Sequence, residues 1–460
     1  MMGRLADRQQ SLFYDFCLES HVPHDHLLRR IAEVLDLREV RRTLAPYYSN
    51  MGRPSLDPEL MIRMLLVGYL YGIRSERRLV EEVHLNLAYR WFCGLGLTGE
   101  VPERSSFSKT RHGRFRESDA FRLVFESVVQ TCLRAGLVSG ETFATDASVI
   151  EADARIARRT ESATPPDAWN DPANITRPVR EYLDTLDKAA GLLPGETLQP
   201  AKALSLTDPN AALTSKGKSK IAFAYGTNYL IDTKAAVIVD VEASPARGTA
   251  EVAATRTMIE RTKQRFDLQP EKLAADTAYG SGGNLAWLME RGIEPHIPIF
   301  DRSAQTNGVF TRHDFTYDRN ADTYVCPGGK TLHRAGVRSD NGIVIYRARS
   351  ADCASCALKA QCTTAAFRSL SVNAHEEVRQ HVAALAGTEA FKKSARQRRK
   401  VEMLFAHLKR NLNFRRLRLR GMTGARDECT FAAIAQNLRK MAKLVGFAHP
   451  PPASAVLYHA

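Results

Sequence analysis

The chain has 460 residues, and its 65 lysines and arginines exceed its 51 aspartates and glutamates to give a net charge of +14. This length excludes a small disulfide-stabilised module, and the longest apolar run, residues 64–73, is too short to cross a bilayer. The charge therefore predicts a polyanionic partner rather than a membrane, and the absence of a signal-peptide pattern at the N-terminus predicts a cytoplasmic location.

The first 135 residues or so have the periodicity of helices. Asp57 followed by Pro58 is typical of an N-cap and first turn, and the apolar residues after them predict a well-buried helix. A second helix is predicted to begin at Ser75 and to continue into an aromatic-rich segment that closes a small core.

A short basic helix is predicted next, with Ser105 or Ser106 as its N-cap. Its basic side chains, among them Lys109 and Arg111, suit a recognition helix that docks on DNA. A charged helix face in contact with solvent explains the same residues equally well. Both interpretations stay open at this point.

From about residue 141 the pattern changes to strands that alternate with helices. The segment ETFATDASVI predicts a strand with Asp146 at its middle, among small residues. Residues 158–219 are predicted to form a loop-rich insertion with one short helix near 179–190. Two apolar strands then predict a hairpin whose turn lies at 232–234.

A second aspartate, Asp276, ends an apolar strand before a glycine-rich turn that opens a helix near Asn284. Taken singly, Asp276 is explained as a helix cap, and Asp146 as a hydrogen-bonded polar residue of a strand. Tyr279 and the glycines after it either let DNA approach closely or form an ordinary strand-to-helix turn.

Four of the eight cysteines form the pattern C-x26-C-x2-C-x5-C, namely Cys326, Cys353, Cys356 and Cys362. Closely spaced thiolates with one more from a longer excursion suit tetrahedral Zn²⁺, and reduced thiols in a metal-free fold are the alternative. The other four lie in apolar helical patterns and are predicted to be core residues: Cys17, Cys93, Cys132 and Cys429.

Glu402 is the only acidic residue from position 391 to position 426, a segment that holds thirteen lysines and arginines. The apolar spacing predicts a helix on which Arg398, Glu402 and Lys409 share one stripe. One interpretation is a surface helix in which Glu402 pairs with Arg398 or Arg399. The other is a metal-binding carboxylate flanked by cations that hold the phosphates of a nucleic acid.

The three acids are more informative together than singly. A strand-borne Asp, a second Asp at the end of a later strand and a Glu on a helix after the sheet match the layout of the RNase H-like nucleotidyl transferases. Mg²⁺ prefers oxygen ligands, and two such ions about 4 Å apart activate the attacking oxygen and stabilise the leaving oxygen of a phosphodiester.

At this point the residues resemble the DDE transposases of bacterial insertion sequences over nearly the whole chain. GRPSLDPELMIRMLLVGYLYG resembles part of their N-terminal domain, TDASVIEADA their first aspartate motif and AADTAYGS their second. RRKVEMLFAHLKRNLNFRRLRLRG resembles the Y-x2-R-x3-E-x6-K signature, with Ala395 at the position of the tyrosine. The four clustered cysteines resemble a zinc-like insertion that one branch of the family carries between the second aspartate and the glutamate.

The resemblance implies that Asp146, Asp276 and Glu402 are catalytic and bind two Mg²⁺ ions, for which Mn²⁺ substitutes, and that the clustered cysteines bind a structural Zn²⁺. It implies a homodimer that cuts the terminal inverted repeats of its element and joins the freed 3′ ends to double-stranded target DNA. The DNA-binding residues are then Arg398, Lys409, Lys109 and Arg111. Two alternatives remain: an inactive or domesticated DNA-binding protein derived from a transposase, and an RNase H-like nuclease that does not join ends.

The expected fold is α/β: an RNase H-like catalytic domain with a mixed sheet, preceded by an all-α N-terminal domain and interrupted by a small cysteine-bearing insertion. The predicted ranges are 1–135 for the helical domain, 136–310 for the first part of the catalytic core, 311–375 for the cysteine insertion, 376–448 for the second part of the core and 449–460 for a tail.

Overall fold

A computed structural model describes residues 16–48, 51, 55–162, 164–171, 175–190, 203–215, 221–299, 309–338 and 342–445, so the predicted tail at 449–460 lies outside the described residues. The chain divides into two compact units. The first comprises Met1–Leu137, Ala406–Leu419 and Thr423–Ala460, and the second comprises Val138–Phe405 and Arg420–Met422. Among the described residues, no helix combines the length and the apolar character that a membrane span requires.

The first unit is built from helices, and its described residues contain no strand. The helices before residue 138 are α1 (Leu18–His21), α2 (Leu27–Val34), α3 (Arg38–Leu44), α4 (Pro58–Leu70), α5 (Glu76–Leu85), α6 (Leu87–Phe92), α7 (Arg104–His112) and α8 (Ala120–Arg134). Asp57 caps α4 as predicted, because its Oδ1 accepts the N–H groups of Glu59 (2.8 Å) and Leu60 (3.0 Å). Most of α4 is buried, which follows from its nearly continuous apolar sequence.

Two local predictions about these helices are wrong. The predicted second helix is divided into α5 and α6, because the Asn86 side chain accepts the N–H groups of Ala88 and Tyr89 and so begins a new helix. The N-cap of α7 is Glu103, whose backbone is extended, so Ser105 and Ser106 lie inside the first turn rather than before it.

The scattered cysteines follow the prediction with one exception. Cys93, Cys132 and Cys429 are buried, and burial raises the pKa of both Cys93 and Cys132 to about 12. Cys17 is exposed, which contradicts its assignment to the core. It precedes a four-residue helix that has no buried residue, so the apolar pattern there does not form a buried face.

The second unit contains a mixed sheet, which confirms an α/β protein. Its strands are β1 (Thr142–Glu151), β2 (Ala212–Thr214), β3 (Ala222–Asp232), β4 (Val237–Pro245), β5 (Lys272–Ala274) and β6 (Glu294–His296). The order is β2-β3-β1-β5-β6, with β4 also paired to β3. β1 is antiparallel to β3 and parallel to β5, and β3 and β4 form the predicted hairpin.

Three helices belong to this sheet region: α9 (Arg177–Ala190), α10 (Ala250–Phe266) and α11 (Gly282–Glu290). α9 is the short helix predicted in the insertion. α10 is held to β4 by Arg261, which pairs with Asp240 (2.7 Å) and Glu242 (2.9 Å). Both carboxylates are almost fully buried, so this pairing offsets a large desolvation cost.

The cysteine insertion forms a second, antiparallel sheet with the strand order β11-β10-β9-β8-β7. Its elements are β7 (Thr316–Asp318), β8 (Thr323–Val325), β9 (Thr331–Arg338), β10 (Ile343–Arg347), α12 (Ser350–Ala354), α13 (Lys359–Cys362) and β11 (Ser369–Asn373). Tyr324, Leu332 and Val372 are among the residues of its separate hydrophobic core. The segment is therefore more than a loop that carries cysteines.

The chain continues through α14 (Glu376–Leu385), α15 (Glu389–Arg410) and α16 (Gly421–Leu444). α15 is the predicted basic helix, and it places Arg398, Glu402 and Lys409 on one element. α16 begins at Gly421, and its first turns hold small and charged residues without a strong apolar pattern.

Asp208 is a buried carboxyl within the insertion at 158–219. Its Oδ1 accepts the hydroxyl of Tyr225 (2.5 Å) and the N–H of Gly421 (3.2 Å). Its Oδ2 is buried and has no hydrogen-bond partner in the described part of the chain. Burial outweighs these hydrogen bonds and raises the pKa of Asp208 to about 6.

Candidate functional site

The first predicted acid, Asp146, lies in the middle of β1, which has a sheet neighbour on each side. It pairs in register with Tyr229 of β3, and its own Oδ1 accepts the N–H of Ala147 at 2.8 Å. The side chain is 20% exposed, so a ligand can reach it. A partly exposed carboxylate on a central strand is both rigidly positioned and accessible to a ligand.

The second predicted acid, Asp276, lies two residues after β5. Its Oδ1 accepts the N–H of Ala278 at 2.9 Å, so it caps a single 3-10 turn rather than the following helix, α11. β1 and β5 are parallel, and Ala144 is paired with Ala274. Asp146 lies two residues after Ala144, and Asp276 lies two residues after Ala274. The two aspartates therefore occupy equivalent positions on adjacent strands.

The third predicted acid, Glu402, lies on α15 and contacts the same arginine as Asp146. Arg398 Nη2 is 3.0 Å from Glu402 Oε1, and Arg398 Nη1 is 3.8 Å from Asp146 Oδ2. The helical ion pair predicted for Glu402 is thus present. The same guanidinium also brings an acid of a late helix close to an acid of the central strand.

Tyr279 connects Asp276 to the same acidic region. The residue is 1% exposed, and its hydroxyl has no hydrogen-bond partner among the described residues, although Thr255 lies close to it. Burial, followed by the negative charges of Glu251, Asp146 and Asp276, raises the pKa of Tyr279 far above its usual value. The phenol therefore lies in the field of three carboxylates.

Glu251 was not selected from the sequence. It lies in the first turn of α10, where an acidic residue is ordinarily explained by the helix dipole alone. Thr255, one turn later, shares a hydrogen bond of 2.9 Å with Thr145 of β1, which fixes this part of α10 beside the strand that carries Asp146. Only the folded structure makes Glu251 a neighbour of the site.

The acids do not form a ready-made metal site. Within the described residues, no three acidic, histidine or cysteine side chains are gathered closely enough to hold an ion as they stand. Arg398 bridges Asp146 and Glu402 instead. The donors nonetheless suit a hard cation, because all are carboxylate oxygens and, in the described structure, Asp276 Oδ2 and Glu402 Oε2 make no hydrogen bond.

The residues predicted to contact DNA differ in accessibility. Arg398 is 23% exposed beside the acids, and Lys409 lies seven residues beyond Glu402 on α15 and is half-buried. Lys109 is exposed on α7. These three positions are compatible with a contact to phosphate.

Arg111, the fourth such residue, is buried within the first unit rather than displayed on its surface. Its Nη1 donates to Glu76 at 3.0 Å and its Nη2 to the hydroxyl of Tyr69 at 3.4 Å. The prediction of an exposed recognition contact there does not fit this burial. The sequence pattern could not show it, because Glu76 and Tyr69 precede Arg111 by 35 and 42 residues and lie on other helices or at their ends.

The four clustered cysteines line one small cavity of about 20 Å³ in the cysteine insertion. The N–H of Lys330 donates to Cys326 Sγ at 3.3 Å, and burial, reinforced by the three neighbouring thiols, raises the pKa of Cys362. The cavity has room for about one ion or water molecule. Among the described residues, these sulfur atoms are not close enough together to hold a metal ion as they stand. Four thiols around one small cavity are nonetheless a donor set that suits Zn²⁺.

Comparison with known proteins gives two family matches. Residues 16–113 match the model described as "Transposase domain (DUF772)", and residues 325–442 match the model described as "Transposase DDE domain". The second range contains Arg398, Glu402 and the clustered cysteines, whereas Asp146 and Asp276 lie outside both ranges.

No protein with a curated function matched the chain. Among solved structures, one similar chain is described as "Cryo-EM structure of piggyBac transposase synaptic complex with hairpin DNA". It has a TM-score of 0.32 and 9% identity, and the alignment covers 90% of this chain and 74% of that one. A TM-score this low carries no argument about the fold.

Proposed function

This chain belongs to the DDE transposases, and from that premise we propose that it is a DNA transposase. It binds the ends of an insertion sequence, hydrolyses DNA there and joins the 3′ ends to target DNA. The observation that supports this proposal best is the position of Arg398 between Asp146 and Glu402. The two acids come from distant parts of the sequence, and the fold brings both within 4 Å of one partly exposed arginine.

The proposed catalytic domain is RNase H-like. Support comes from β1, a central strand with an antiparallel neighbour on one side and a parallel neighbour on the other, and from α15 as a late helix that carries the third acid. In this proposal a helical DNA-binding domain ends near 135, the cysteine insertion occupies 311–375, and the catalytic core is completed by 376–448. This functional division differs from the two compact units, because Ala406–Leu419 and the chain from Thr423 onward group with the first unit.

Asp146, Asp276 and Glu402 would hold Mg²⁺, with Mn²⁺ as a substitute. Bound there, the ions supply Lewis acidity and lower the pKa of a water molecule that attacks the phosphodiester. Asp276 keeps its second oxygen available because the first is used to cap the 3-10 turn. Arg398 balances the charge of two acids in the structure, and its planar guanidinium would suit a phosphate oxygen beside them.

The partner in this proposal is double-stranded DNA. Lys409 and the exposed Lys109 contribute contacts to its backbone, and the net charge of +14 favours such a polyanion. The protein acts in the cytoplasm as a homodimer, because two DNA ends must be held together for joining. The cysteine insertion binds one structural Zn²⁺.

The test is a joining assay with purified protein, Mg²⁺, a supercoiled donor plasmid that carries candidate terminal repeats, and a target plasmid. We expect joined products from the unmodified protein. Asp146→Asn, Asp276→Asn and Glu402→Gln are each expected to lower the joining rate by a factor on the order of 10² or more, because each removes a ligand charge. Glu151→Gln is the matched control, since Glu151 is an exposed acid on the same strand as Asp146.

The outcomes separate this proposal from its alternatives. Joining that survives all three substitutions would show that the site is assigned wrongly. Cleavage without joining would identify a nuclease instead. DNA binding without cleavage in any metal would identify a DNA-binding protein derived from a transposase.

A further inference from the structure

A cavity of about 390 Å³ in the first unit is lined mainly by arginines. We call it the arginine cavity, and its arginines are Arg74, Arg77, Arg104, Arg111 and Arg418. Its volume falls within the range of small-ligand pockets, which is about 300–1,000 Å³. Glu76 is the one acidic residue among its described lining residues.

Three of these arginines are already balanced by carboxylates. The ion pairs are Arg111 with Glu76 (3.0 Å), Arg77 with Glu81 (3.0 Å), and Arg74 with Glu428. Glu428 is completely buried and also accepts the N–H groups of Arg418 and Leu419, so it holds the backbone of the cavity wall. These pairs build the cavity but add no net charge to it.

The two remaining arginines, Arg104 and Arg418, are exposed, and the described residues offer neither of them an acidic partner. Five lining arginines less the three balanced ones leave two positive charges without a counterion. Burial lowers the pKa of His112, the other basic lining residue, so it adds little charge at neutral pH. The cavity therefore has an excess of about two positive charges.

Arg74 is held rigidly in the wall of the cavity. Its side chain is 6% exposed, yet its Nε–H has no hydrogen-bond partner in the described structure. Its guanidinium lies 4.7 Å from the ring of Tyr69 and 4.6 Å from the ring of Phe414, so its orientation is fixed.

The cavity also receives the N-terminus of α5. Ser75 caps this ten-residue helix, and Ser75, Glu76 and Arg77 all line the cavity. The N-terminal end of a helix carries a partial positive charge and presents free N–H groups, which favours anions.

We propose that the arginine cavity binds one phosphate group, with the exposed Arg104 and Arg418 as its contacts. Phosphate matches the excess charge, and its oxygens match the paired N–H groups of arginine. The phosphate belongs either to a DNA backbone or to a free phosphate ion. If the phosphate belongs to DNA, this inference rests on the proposed function. If it is a free ion, the inference does not depend on that function.

The experiment compares the unmodified protein with Arg104→Gln/Arg418→Gln and with Arg38→Gln/Arg42→Gln. The second pair is the matched control, because it removes the same charge from two exposed arginines of α3 in the same unit that do not line the cavity. One arm measures binding of a fluorescently labelled DNA duplex at several salt concentrations. The other arm measures binding of inorganic phosphate by calorimetry. Circular dichroism checks that each variant is folded.

If DNA is the source, the cavity variant binds the duplex roughly tenfold more weakly than the control, and the slope of log affinity against log salt falls by about 1. If free phosphate is the source, the cavity variant alone loses phosphate binding while its duplex affinity equals that of the control. Equal behaviour of both variants towards both ligands overturns the proposal. A protein that binds phosphate here but joins no DNA would refute the proposed function and leave this inference intact.

Discussion

Asp208→Asn is expected to stabilise the second unit at neutral pH and to lose that advantage in acid. The pKa of Asp208 is raised from 3.8 to about 6, mainly by burial. Between these values the folded protein keeps a proton that the unfolded chain has lost, so folding stability falls as the pH rises through this window. Its charged neighbours are Glu181, which opposes ionisation, and Arg420, which favours it.

The magnitude follows from the two pKa values. The pKa of Asp208 is about 6 in the folded protein and 3.8 in the unfolded chain, and each unit of this difference corresponds to about 1.36 kcal/mol. Above pH 6, ionisation of Asp208 therefore lowers the unfolding free energy by about 3 kcal/mol. Between pH 4.5 and pH 7.5 the change is about 2 kcal/mol. Asparagine keeps an oxygen for Tyr225 and Gly421 and cannot ionise. Its buried amide nitrogen adds a cost that does not depend on pH.

The assay is urea denaturation at pH 4.5, 6.0 and 7.5, followed by tryptophan fluorescence. A Trp91→Phe background leaves Trp169 and Trp287, both in the second unit, as the reporters. The free energy of unfolding of the variant relative to its parent should rise by about 2 kcal/mol from pH 4.5 to 7.5. Asp184→Asn, at an exposed position of α9, is the control and should show no such rise.

A difference between the Asp208 variant and its parent that is the same at all three pH values would refute the reasoning. It would mean that the carboxyl ionises below pH 4.5 despite its burial. The pH-independent part of the difference does not decide the question, because the amide changes the hydrogen bonding as well as the charge.

Three further outcomes are expected. Glu428→Gln should lower the unfolding free energy of the first unit by about 3–5 kcal/mol in urea denaturation, because Arg74 then stays buried without its carboxylate; a loss below about 1 kcal/mol would contradict this. Metal analysis of protein purified without chelator should find about one zinc per chain, and Cys356→Ser should reduce it; an absence of zinc in the unmodified protein would remove the zinc proposal. Tyr279→Phe should be neutral or stabilise the second unit by up to about 1 kcal/mol, since it removes a buried hydroxyl without a partner, and a marked loss of stability would show a hidden hydrogen bond.

Elements with a strong, local pattern could be predicted from the sequence. Asp57 and Pro58 begin α4 as expected, the alternation around Asp146 gives β1, and the apolar spacing around Glu402 gives α15. In each case the signal lies within a few residues of the element that it predicts. The ion pair of Glu402 with Arg398 is equally local, since the two lie one helical turn apart.

Features that depend on distant partners could not be predicted. The contact of Arg398 with Asp146, the burial of Arg111 beside Glu76 and the approach of Glu251 to Tyr279 all join separate elements. An arginine in a basic helix has the same local pattern whether it is exposed or buried. Its environment is decided by which carboxylate the fold brings to it.

The five-stranded sheet of the cysteine insertion is a similar case. The cysteine spacing pointed to a metal but not to strands, because β7 and β8 have only three residues each, too few for a clear alternation. Its core residues, such as Leu332 and Val372, become recognisable only once the strands are paired.

The separation of β1 from α15 has a consequence during protein synthesis. The ribosome releases the strand that carries Asp146 long before it translates the helix that carries Glu402. A nascent or prematurely terminated chain therefore possesses the basic N-terminal helices and both aspartates without the glutamate. In the proposed function, such a fragment could occupy DNA but would lack the full set of carboxylates, so hydrolysis would begin only after α15 has been translated.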